Sequence, residues 1–190
     1  ILEKQREILR KNRSNLNILE MSELVSVSDV CKVIQRAEMI LKISDSMKRN
    51  FTELGKEAGI MNMRYREILK GVEKSEMEIL RDYAGIPVKR AKTLLSNMTF
   101  EGLLELESIA RLIMEKSLED NVAPKGYRFL SHLSLSAKEI SQIIKLNKNL
   151  DNILKLEPSS LEMILKNRSA NIYEEVRNLR EQIINGKIVC

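Results

Sequence analysis

Residues 28–54 read SDVCKVIQRAEMILKISDSMKRNFTEL and carry the clearest regular apolar pattern in the chain. Val30, Val33, Ile34, Ala37, Ile40, Leu41, Met47, Phe51 and Leu54 fall mostly at steps of three and four. That spacing gathers side chains on one face of an α-helix. Ser28, just ahead of Asp29 and the first apolar position, reads as its N-cap. Gly55 and Gly59 mark its end.

The pattern spreads outward in both directions. Upstream, Leu2, Leu9 and Leu16 recur every seven residues, with Ile1 and Ile8 beside them. This is a narrow stripe on a charged helix, which must pack against another element to be buried. Downstream, shorter helices are predicted over 62–72, 74–84, 88–97 and 100–114, with Gly85 and Pro87 as a separator and Thr99 as a cap. Asn121 and Pro124 lie in a boundary stretch, 119–125. Beyond it, helices are predicted over 126–133, 137–145, 150–156, 159–165 and 170–184, with connectors of three and four residues at 134–136 and 166–169. No segment alternates with period two. With 43% hydrophobic residues, 4% aromatic and no Trp, the core must be Leu, Ile, Val, Met and Ala. Few Pro and Gly interrupt them, as a helical protein requires. The expected fold is all-α: a multi-helix bundle over 1–120, followed by a small domain of helical hairpins over 121–190.

Charge and chemistry narrow the function. The formal net charge is +5. Residues 121–190 hold eleven Lys or Arg against seven Asp or Glu, so nearly all the excess lies there. A phosphate-binding face and an ordinary solvated surface both fit that excess. Cys31 lies in the apolar pattern and reads as core, and Cys190 ends the chain; the pair matches no metal-ligand spacing. The lone histidine, His132, sits beside a turn. There is no Cys/His pair, no glycine-rich phosphate loop and no metal or cofactor motif. Paired carboxylates such as Glu174 and Glu175 are expected by chance in a chain with 27 acids. The reading is therefore non-catalytic. No apolar run reaches the ~18 residues of a membrane span, so no membrane partner is expected.

Val33–Ile43, and Thr52–Gly59 just after it, resemble the central helix of the DisA family of DNA integrity scanning proteins. Leu80-Arg81-Asp82-Tyr83 is similar to that family's short charged helix end, and Ser108–Leu112 to its Asn-Ile-Ala segment. The stretch from Val122 to Ser131 resembles the family's entry into its helix-hairpin-helix region. The resemblance implies a parent with three parts: a domain condensing two ATP molecules into cyclic di-AMP, a helical linker and a DNA-binding end. Such parents are octamers, and branched DNA suppresses their synthesis. Only the linker and DNA-binding end are matched here; the cyclase motifs Asp-Gly-Ala and Arg-His-Arg do not occur. A cytoplasmic, nucleoid-associated place follows from the resemblance.

A helix-hairpin-helix binds phosphate through backbone N–H groups of a tight turn and of the next helix's first turn. Such contacts carry no base code. The first candidate turn is 132–136, with Ser134 and Ser136 in it and Lys125, Gly126, Arg128 and Lys138 nearby. It lacks the prolines the family usually has there. The second is 165–171, where the family usually shows Gly-Ile-Gly and this chain has none. Either Lys166 and Arg168 compensate as charged donors, or the turn has lost DNA binding and survives as packing. Lys125, Arg128, Lys138, Lys166 and Arg168 are thus the expected phosphate contacts. Ser134, Ser136, Ser169 and Asn171 are the expected caps or turn donors, with Gly126 giving close approach. The alternative is an interaction scaffold whose Leu2, Leu9 and Leu16 stripe docks on a cyclase domain or on another copy.

Overall fold

In the computed structural model of the chain, residues 2–14, 16, 24–53 and 58–185 are described. The chain is all-α, as its periodicity requires. Two strands of two residues each, β1 (Val25–Ser26) and β2 (Asn121–Val122), are the extended structure present among these residues. By its internal contacts the chain forms two compact units. The first comprises Ile1–Asn15, Ser26–Leu80 and Ala84–Asp120; the second comprises Leu16–Val25, Arg81–Tyr83 and Asn121–Cys190.

The first unit is organised by α2 (Val27–Glu53), which packs against α1 (Leu2–Ser14), α3 (Ala58–Leu69), α5 (Val88–Asn97), α6 (Phe100–Leu104) and α7 (Leu106–Ile109). Val30, Val33, Ile34, Ala37 and Ile40 are fully buried. Each large aliphatic among them contributes about 1.5–3 kcal/mol through burial. Met47 is half-buried, and the side chains of Phe51 and Leu54 lie outside the described residues. The helix starts one residue before the expected cap. Ser26 takes that role: its Oγ accepts from the Asp29 amide at 3.1 Å and donates to the Asp29 carboxylate at 2.8 Å. Cys31 is buried as expected, and its desolvated thiol is pushed up to about 12.

The Leu stripe upstream is spent inside the chain. Leu2 and Leu9 of α1 are 6% and 5% exposed, and Leu16, counted in the second unit, is 1% exposed. The helix expected over 100–114 breaks at Glu105 and ends in a π-helical turn, Ala110–Met114. Gly85 donates to Ile113 O at 2.9 Å, and a side chain on Gly85 would meet Met114 O at 2.9 Å.

A buried charged cluster crosses this unit. Lys92 Nζ reaches Glu38 at 2.8 Å and Glu76 at 2.5 Å. The two acids are 3% and 0% exposed, and Glu76 Oε1 has no partner among the described residues. Burial, then the neighbouring Glu38, pushes the Glu76 carboxyl up to about 8.

The second unit is built from α8 (Tyr127–Leu130), α9 (Ala137–Asn147), α10 (Leu150–Leu154), α11 (Pro158–Leu165) and α12 (Ser169–Ile184), with a 3₁₀ turn, Lys166–Arg168, between the last two. The last turn of α4 (Val72–Tyr83) also belongs to it. Its core gathers Phe129, Leu130, Ile140, Ile143, Leu150, Ile153, Leu161 and Ile172. Among the described residues no helix is long and apolar enough to cross a membrane.

Candidate nucleic-acid interface

The entry to the second unit is tied down by a buried ion pair. Asp82 accepts from Arg128 Nε at 2.7 Å, from the Gly126 amide at 3.1 Å and from the Tyr127 amide. Arg128 also donates to Leu16 O and to the Tyr83 hydroxyl, each at 3.1 Å. Arg128 and Asp82 are 2% and 1% exposed. Burial pushes the Asp82 carboxyl up, against the pull of Arg128 and of the backbone amides. The Arg81 guanidinium lies 4.5 Å above the Tyr127 ring.

This corrects two expected contacts. Arg128 is committed inside the unit and cannot face a phosphate. Gly126 is buried too; at φ +97° it needs a residue without a side chain, and a Cβ there would meet Ile153 Cδ1 at 2.9 Å. Its freedom serves packing against α10 rather than approach to a ligand. Lys125 is half-buried, and burial lowers its amine while Asp82 raises it.

The first turn lies at the surface, with His132, Ser134 and Ser136 exposed and Leu133 anchored in the core. Ser136 caps α9, and Glu139 closes a capping box. Ser136 Oγ accepts from the Glu139 amide at 3.3 Å, and the Ser136 amide donates to the Glu139 carboxylate at 2.7 Å. The Ser134 amide donates to the Glu175 carboxylate of α12 at 2.8 Å. The amides of His132, Leu133 and Leu135 donate to Phe129 O, Leu130 O and Leu133 O. So each amide from 132 to 136 is already engaged.

The second turn is the 3₁₀ turn between α11 and α12. Lys166 sits at φ +50°, ψ −126°, a backbone shape that glycine adopts readily and a lysine does not. The turn therefore keeps a glycine-type bend at the place where glycine is missing. Lys166, Asn167, Arg168 and Asn171 are exposed. Ser169 is buried and forms the first residue of α12 rather than its cap, a third correction among the expected site residues.

The two turns meet through one side chain. Arg168 donates to Glu139 Oε1 at 3.0 Å and to Ser134 O. Lys138 is exposed on the first turn of α9, adjacent in sequence to Glu139. Of the residues expected here, Ser134, Ser136 and Arg168 are thus brought together. Glu139 and Glu175 were missed. Glu139 has a local signature, since Ser136-Ala137-Lys138-Glu139 is a capping-box spacing. Glu175 has none, because its contact lies 41 residues away.

Residues 1–120 match the family described as the DisA bacterial checkpoint controller linker region. Over 193 residues the chain is 33% identical to the DNA integrity scanning protein DisA of Carboxydothermus hydrogenoformans, covering 95% of this chain and 55% of that protein. It is 32% identical over 189 residues to the DisA of Symbiobacterium thermophilum, covering 95% and 54%. With the DisA of Clostridium beijerinckii it shares 29% over 191 residues, covering 96% and 54%. The chain spans about half the length of the curated relatives it matches.

Proposed function

The chain belongs to the DisA bacterial checkpoint controller family, residues 1–120 being its linker region, and from this membership we propose that the second unit contacts the phosphate backbone of DNA without reading its sequence. Exposed Lys138, Lys166 and Arg168 act as the phosphate-directed cations, with the Ser134–Ser136 and Lys166–Arg168 turns as the surface that meets the strand. The preferred form is branched DNA. In the parent, occupancy of this surface modulates cyclic di-AMP synthesis. That reaction belongs to the part of the relatives outside the matched span, and this chain has no catalytic role.

The observation that carries the reading is the joining of two short inter-helical turns by Arg168, with cations exposed on both. The test is binding to a four-way junction and to a linear duplex over a series of salt concentrations. The junction binds more tightly, and log K falls with log salt at a slope of roughly −3, as for three or four neutralised phosphates. No binding at low salt, or binding indifferent to salt, overturns the proposal.

One observation favours a second reading, a structural scaffold. The turn amides that would meet phosphate already hold carboxylates. Under this reading the junction does not bind and the unit serves as a packing element.

A further inference from the structure

A hairpin turn takes a phosphate because an N–H group aimed at solvent favours an anionic oxygen. In the first turn one such group is neither in a helix nor in a local bend: the Ser134 amide. Its acceptor is the carboxylate of Glu175, 41 residues downstream on α12, at 2.8 Å. The other engaged amides of 132–136 end on backbone or on the capping-box acid of α9. Ser134 is exposed and Glu175 is half-buried, so this bond lies at the surface where a strand would come. The carbonyl of the same residue accepts from Arg168, whose guanidinium is already positioned there by Glu139. A carboxylate oxygen and a phosphate oxygen make the same kind of charge-assisted bond to a backbone N–H.

We propose that Glu175 occupies the phosphate seat of the first turn, so that contact with a nucleic-acid strand there is an exchange of this carboxylate for a phosphate oxygen. The inference rests on the DNA-binding reading above and adds the residue that sets its strength. Because Glu175 lies on the helix that follows the second turn, the seat of one turn is held by the helix of the other. The attraction that would favour a strand is partly cancelled by the negative charge already in place.

The experiment compares the full chain with Glu175→Ala and, as a control for charge alone, Glu174→Ala. Glu174 is exposed on the same helix, and the described contacts do not tie it to the turn. Alanine is favourable within a helix, so both variants retain α12. Glu175→Ala tightens junction binding roughly tenfold at low salt, the scale of one charge-assisted hydrogen bond. It also steepens the salt slope by about one unit, the signature of one added phosphate. Glu174→Ala changes affinity less than about twofold and leaves the slope unchanged. Inorganic phosphate shifts the Ser134 amide resonance in Glu175→Ala and not in the parent chain.

If the two variants behave alike while the parent chain binds, the seat assignment is wrong and the DNA-binding reading stands. If Glu175→Ala binds where the parent does not, the seat is real and the parent is not itself a binder. If neither variant binds, both fail.

Discussion

The two units satisfy their buried charge to different degrees. In the first, Lys92 faces two buried acids, Glu38 and Glu76, and one oxygen of Glu76 is left without a partner among the described residues. In the second, the buried pair Asp82–Arg128 is well satisfied: the carboxylate takes the guanidinium and two amides, and the guanidinium also reaches a carbonyl and a hydroxyl. Backbone strain is common to both units: Glu115 sits at φ +57° in the first, Lys148 at φ +67° and Lys166 at φ +50° in the second. Buried charge specifies local structure only when its hydrogen bonds are complete. Where they are not, the site becomes sensitive to protons.

The strongest way to break this contrast is Arg128→Ala. It leaves Asp82 buried without its counter-ion, at a cost of about 3–5 kcal/mol. Urea denaturation of the variant shows a much earlier midpoint; an unchanged midpoint would mean the pair is not the keystone described.

Next is the pH response of the first unit. Glu76 has its carboxyl raised from 4.5 to about 8 in the fold. The folded state therefore holds a proton that the unfolded state has lost between those values. Its contribution to stability is complete below about pH 4.5, declines as pH rises, and is gone above about pH 8. Thermal unfolding at stepped pH shows this decline in the parent chain and a flatter profile in Glu76→Gln. Parallel profiles would show that Glu76 does not carry the buried proton.

Smaller effects sharpen the other side of the contrast. Lys166→Gly relaxes the positive-φ bend and stabilises the second unit by about 1 kcal/mol, net of glycine's entropic cost. It also removes a cation, so stability and junction binding move in opposite directions, which melting and binding titrations read separately. Ser136→Ala removes the α9 cap and costs about 1 kcal/mol or less, read as a small drop in melting temperature.

The helices were legible because their signals are local. The run 88–97 folds as read, bounded by Pro87 and Met98. The cap of α2 shifted to Ser26 because two serines two residues apart offer equal capping chemistry, and only the backbone decides between them. The break at Glu105 carries no strong breaker and was missed. The site was less legible for the same reason. Arg128 reads as a free cation until Asp82, 46 residues earlier, is found beside it. Likewise, Glu175 reads as one surface acid among many until Ser134 is found to hold it. Partners that distant leave no trace in local spacing.

Cys31 lies fully shielded, its sulfur 3.9 Å from Met114 Sδ. In a Cys190→Ser background it becomes the sole thiol, so a maleimide or disulfide reagent can attach only when the helices around it part. Labelling rate then times the opening of the first unit from within.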